Sequence, residues 1–165
     1  MFLMTFSVTK VHGDFLLIEP QKQDDFWQKS NQSVDTITIT LKAFYNEYIT
    51  AQSLPGLDKQ KIDSILDKYV TSELLSFIGK LSYDELDFDP FLESQMADVE
   101  MLKSLKILRD PNRKNIYQVT YSYGKYTSSI GLHLIKINGV YKIDTLTNLT
   151  QHLKSIGYFQ KQKSK

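Results

Sequence analysis

The sequence predicts an α+β domain in which N-terminal helices pack on one face of a curved antiparallel sheet. Two patterns and one turn carry that prediction. Apolar residues recur at three- and four-residue steps between residues 36 and 81, the spacing of one helical face. From residue 102 to 146 apolar and polar residues alternate instead, as in strands with one buried face. Asn138-Gly139 joins two of the alternating runs, and both residue types accept the positive φ of a two-residue hairpin turn. Helices followed by a meander place the helices together on one sheet face.

The elements follow in chain order. Residues 1–32 are expected to be an extension, and residues 33–165 a single domain. In the extension, residues 4–8 alternate like a strand, His12-Gly13-Asp14 makes a turn, and Phe15 to Ile18 makes a second strand. A trimmed or decayed export signal is the other reading of this apolar start, which lacks a basic leading region and a small-x-small cleavage site. Residues 19–33 are polar and broken by Pro20, so they read as a connector, with Phe26 and Trp27 as docking points. Asp35 is placed to cap a first helix whose buried stripe is Leu41, Phe44, Tyr45, Tyr48 and Ile49. The β-branched run Thr36-Ile37-Thr38-Ile39-Thr40 favours a strand locally, and the longer helical period overrides it. Pro55 and Gly56 end this helix. Asp58 caps a second helix carrying Ile62, Ile65, Leu66 and Tyr69. Thr71 or Ser72 caps a third, with Leu74, Leu75 and Ile78 facing inward.

Four strands are then expected. Residues 102–110 form the first, and 111–115 are turn chemistry. Residues 116–123 form the second, with Tyr117, Val119, Tyr121 and Tyr123 on one face and Gln118, Thr120 and Ser122 on the other. Gly124 and Lys125 turn the chain into a long third strand, 126–137, and residues 140–146 return as the fourth. Leu149, Leu153 and Ile156 then suit a short amphipathic helix.

Bulk composition narrows the function. A chain of 165 residues is long enough for one substantial core. Its apolar fraction of 41% and charged fraction of 24% are ordinary for a globular protein. The net charge of +1 creates no field favouring nucleic acid or an anionic membrane. The terminal Lys-Gln-Lys-Ser-Lys reads as a solubilising end. With no cysteine there is no disulfide, thiolate metal site, cysteine nucleophile or cysteine-linked lipid within this sequence. No apolar run approaches the roughly 20 residues that span a bilayer.

The segments Phe44-Tyr45-Asn46-Glu47-Tyr48, residues 66–75, residues 87–95 and residues 132–146 together resemble a family of bacterial envelope domains of unknown function that includes small enterobacterial lipoproteins. That family is similar to the cone-shaped fold of nuclear transport factor two. The most specific motif is Asp89-Pro90-Phe91-Leu92 with Gln95. Met96 departs from the family, which often carries an acid there. The resemblance implies a bacterial source and the periplasm, with the cytoplasm left open by the lack of a clear export signal. It brings no catalytic residues.

Residues 83–95 hold the strongest concentration of chemistry: Asp84, Glu85, Asp87, Asp89 and Glu93 around Phe88, Pro90 and Phe91. A calcium loop needs a glycine at its sharp turn and a bidentate closing acid, and Pro90 stands where flexibility is required. A structural joint is expected instead. Asp89 bonds local backbone amides, Pro90 sets φ, and Phe91 plugs the core between the third helix and the sheet. Asp84, Glu85, Asp87 and Glu93 are then left as an acidic ridge for a partner. His12, His133 and His152 are scattered without zinc spacing, and His133 points away from Leu132 and Leu134. No nucleotide, hydrolase or metalloprotease motif is present, so neither a catalytic set nor a metal or cofactor is expected. Tyr117, Tyr121, Tyr123 and Tyr126 are expected to line a concave sheet mouth, as core packing or as a recognition surface. Nucleic acid is not expected there, since only Arg113 and Lys125 lie near. The expected function is a non-enzymatic protein-binding module, an immunity protein that caps a secreted antibacterial toxin. The alternative is an envelope domain binding a small molecule or cell-wall fragment. The sequence specifies no oligomeric state.

Overall fold

The computed structural model describes residues 35–159. The expected N-terminal strands, connector, export segment and basic tail lie outside the described residues.

The first helix, α1 (Thr36–Gln52), begins where the Asp35 side chain accepts from Thr38 N–H, so the β-branched run that follows is helical. Ile37, Leu41, Phe44, Tyr45, Tyr48 and Ile49 all face inward, which shows the helical period prevailing over local strand preference. Asp58 caps α2 (Lys59–Tyr69) through Lys61 N–H, and Thr71 caps α3 (Ser72–Ile78) through Leu74 N–H. All three caps stand at positions the sequence predicts.

The sheet is an antiparallel meander in the order β1-β2-β3-β4, formed by β1 (Lys106–Arg109), β2 (Ile116–Tyr123), β3 (Tyr126–Ile137) and β4 (Val140–Leu146). The four strands do not close on themselves. Gly124-Lys125 and Asn138-Gly139 are the hairpin turns, with positive φ at Gly124, Asn138 and Gly139. The helices cover one sheet face. Between them lies the core, built from Leu41, Phe44, Tyr45 and Ile49 against Val119, Ile130, Leu132, Leu134 and Ile143. The outer edge of β4 is partly covered as well: Thr71 N–H donates to Ile143 O at 2.9 Å, and Lys142 Nζ reaches Asp67 O at 2.7 Å.

One expectation is corrected. Residues 102–110 are not one strand. Val99–Ser104 form a 3-10 helix, capped by Asp98 and burying Met101, and the strand starts at Lys106. Ser104 also exchanges hydrogen bonds with Ser122 of β2, which fixes where the helical turn hands over to the strand. Phe91 is buried in the core and packs on α1, edge-on to Phe44 and Tyr48 with ring centroids 5.7 Å apart in both cases, beside Asp89, which is tied to the same helix.

A last helix, α4 (Thr147–Ser155), buries Leu149 and Leu153 as predicted. β4 stops opposite Leu132, leaving the start of β3 without a strand partner on that edge. Asn148, one residue into α4, takes the vacant position: its side-chain amide accepts from Gly131 N–H at 3.1 Å and donates to Ser129 O at 2.6 Å, as a peptide group would.

Candidate functional site

The acidic segment divides into two kinds of residue. Asp84 and Asp87 are exposed, whereas Glu85 and Glu93 are half-buried. Glu85 accepts from Ser82 N–H at 2.9 Å. Glu93 sits at positive φ and accepts a hydrogen bond from the side-chain amide of Asn148. Asp89 does not belong to any ridge. Its Oδ2 accepts from the Tyr48 hydroxyl at 2.7 Å and from Gln52 Nε2 at 2.6 Å, while Oδ1 accepts from Phe91 N–H at 2.8 Å. Burial raises the pKa of this carboxyl, and the hydrogen bonds from Tyr48, Gln52 and the backbone oppose that shift without cancelling it. Asp89 N–H and Ser94 O close the turn at 3.0 Å, with Pro90 and Phe91 buried inside it and Gln95 exposed beyond it. The turn is thereby fastened to the C-terminal half of α1.

The four tyrosines separate along the sheet. Tyr117 and Tyr121 are buried, with hydroxyls donating to Asp35 Oδ2 at 2.7 Å and to Leu92 O respectively. Burial is the leading cause of the raised pKa of both phenols, and Tyr121 reaches about 12. Tyr123 and Tyr126 face each other across the hairpin, beyond the covered part of the sheet. They are 42% and 79% exposed. Alternation places Tyr126, Ser128 and Ile130 on the same face as Tyr123, Tyr121 and Val119. Burial on that face ends at Tyr121, whose hydroxyl meets Leu92 O, so the pattern runs two tyrosines further than the core.

A cleft of about 290 Å³ forms at this end, lined by Tyr121, Tyr123, Tyr126, Glu93, Ser94 and Met101, with Thr127 and Ser128 completing it. Three of the four predicted tyrosines thus meet one of the four predicted acids. Tyr117 lines a second cleft, of about 520 Å³, bounded by Arg109 at the end of β1, by the turn carrying Asp110 and Arg113, and by the start of α4. Its walls include Gln118, Ser129 and Gln151. Arg113 is already held by Asp110, at 2.6 Å. Met101 and Ser94 were not singled out from sequence, and the alternating pattern contains no signal for them because neither lies in a strand.

His133 lies on the opposite sheet face from Leu132 and Leu134, with Nδ1 3.7 Å from Asp144 Oδ2. His152 contacts Glu85 O at 3.0 Å and packs edge-on against Phe88. Among the described residues no group of three or more histidines and acids is arranged to hold a metal ion. No helix among them is long and apolar enough to cross a membrane.

Compared with described protein families and with curated proteins, the sequence matches none. Among solved structures it is similar to a protein of unknown function from Bacteroides thetaiotaomicron, with a TM-score of 0.59 and 23% identity, over 74% of this chain and 94% of that one. At that identity the likeness concerns the fold: an α+β domain with N-terminal helices on a four-stranded antiparallel sheet, shared with a bacterial protein.

Proposed function

We propose that this chain is a non-enzymatic protein-binding domain whose contact surface is the β2–β3 hairpin end. The observation that carries the reading is the paired exposure of Tyr123 and Tyr126 beside a cleft. Exposed tyrosines offer large, rigid contact area at little entropic cost, and such residues dominate binding energy at interfaces. Asp84 and Asp87, exposed on the acidic segment, would speed association with a basic partner. The narrower form of the reading is an immunity protein that neutralises a cognate secreted toxin in the periplasm. In that form the domain is a variant of the cone fold of nuclear transport factor two and its lipoprotein-like relatives, with the hairpin end at the cone's mouth.

Calorimetry against a toxin domain encoded beside this gene tests the reading, with wild type and a Tyr123→Ser, Tyr126→Ser double variant. Binding by the wild type, lost in a variant that melts normally, is expected. Equal binding by the two proteins removes the hairpin end from the interface.

The larger cleft favours a second reading, a domain that binds a small polar molecule or cell-wall fragment. Its volume of about 520 Å³ lies within the usual ligand range, and guanidinium and amide groups line it. A ligand-induced rise in melting temperature that disappears in Arg109→Ala would support it; a rise that persists in the variant would not.

A further inference from the structure

We infer that the hairpin-end cleft is a receptor for one basic side chain, a lysine or arginine presented by a partner protein. This rests on the reading of the hairpin end as a recognition surface, and adds the chemistry it recognises.

Three tyrosine rings and one carboxylate, that of Glu93, line the cleft, and no lysine or arginine does. Lys125, on the turn between Tyr123 and Tyr126, is not among the lining residues. Aromatic faces attract cations through their quadrupole, and the attraction grows when solvent is displaced. Glu93 supplies the opposite charge. Its Oε1 is occupied by the Asn148 amide, while Oε2 has no hydrogen-bond partner among the described residues. Asn148 is itself locked onto Ser129 and Gly131, so the carboxylate is held by a fixed group and needs little reordering to receive a ligand. Ser94 and Ser128 add hydroxyls at the wall, able to accept from an ammonium or guanidinium.

Size and exposure select the source. At about 290 Å³ the cleft is at the lower limit for small-molecule sites, enough for one long side chain. Tyr126, at 79% exposure, stands beside it as surface that a free cation would leave in water and a protein would cover. The occupant is therefore a basic side chain projecting from a larger surface.

The test is an amide-resolved NMR titration of the full chain with N-acetyl-arginine-amide, and with N-acetyl-norleucine-amide as a neutral control. Saturable shifts at Glu93, Ser94 and residues 121–128 are expected with the arginine probe alone. Glu93→Gln keeps an acceptor for Asn148 and removes the charge, and should weaken the arginine probe at least tenfold. Tyr126→Ala, at an exposed position, should weaken it several-fold without altering the melt. Equal response to both probes, no saturable response in the cleft, or indifference to Glu93→Gln overturns the inference. Should the tyrosine variants abolish a partner complex while the cleft ignores the arginine probe, recognition by the hairpin end stands and the basic-side-chain receptor falls. Arginine binding in the cleft with a partner complex indifferent to the tyrosines leaves a cation site that the partner does not use, and overturns both the interface and the inference that rests on it.

Discussion

Replacing Asp89 separates two contributions that the structure places on one side chain. Asp89→Ala removes the acceptor from the Tyr48 hydroxyl, the Gln52 amide and the Phe91 N–H together. A buried group left without its partner costs about 1 to 2 kcal/mol, so the three together amount to about 3 to 6 kcal/mol. Relief from holding a charge away from water offsets part of this, leaving about 3 kcal/mol. For a domain of this size that corresponds to a fall in Tm of about 10 °C. Asp89→Asn is different. Its oxygen accepts from Phe91 N–H, and its amide donates to Tyr48 and Gln52 once the hydroxyl rotates and the Gln52 amide flips. The expected cost is below about 1 kcal/mol. The two variants also differ in pH dependence. Burial raises the Asp89 pKa in the folded chain, so the folded state holds that proton more tightly than the unfolded state. The corresponding stability is full at low pH and is lost as pH rises through the folded pKa, a slope that Asp89→Asn abolishes. Urea unfolding of the three proteins, repeated from mildly acidic to neutral pH, measures both effects. The reasoning is refuted if Asp89→Ala and Asp89→Asn are equally destabilised, or if the alanine variant loses less than about 1 kcal/mol.

Two further outcomes test the packing. A Cβ added at Gly131 would overlap the Thr147 hydroxyl and lie 3.2 Å from its Cβ. Gly131→Ala should therefore cost about 1 to 3 kcal/mol, and adding Thr147→Ala should recover part of it, a coupling read from a double-mutant cycle by thermal melting. Tyr117→Phe removes a hydrogen bond to Asp35 and should lose about 1 kcal/mol at neutral pH. Burial works to raise the Asp35 pKa, but the amide of Thr38 and the Tyr117 hydroxyl outweigh it and hold the carboxyl below its ordinary value. Stability from that lowered pKa is present at neutral pH and lost on acidification, so Tyr117→Phe should flatten the acid limb of a melting-temperature profile; an unchanged limb would count against the Asp35 assignment.

What could be read from the sequence was whatever neighbours along the chain decide. The helical period of α1, the caps at Asp35, Asp58 and Thr71, and the turns at Gly124 and Asn138-Gly139 each depend on residues within a few positions. Those features together were enough for the fold class and for the inward parity of Tyr117 and Tyr121. Parity says which face a tyrosine takes and is silent on how far that face is covered. Tyr121 and Tyr123 carry the same local signal, yet one is buried with its hydroxyl on Leu92 O, a group 29 residues away, and the other is 42% exposed. The same limit explains Asp89 and Glu93. The partners of Asp89 on α1 lie 37 and 41 residues away, and that of Glu93 lies 55 residues away. Within one acidic segment, tertiary contacts alone sort a structural carboxylate from one that lines a cleft. Burial and hydrogen bonding are set by what arrives from elsewhere in the chain, and no local pattern records that arrival.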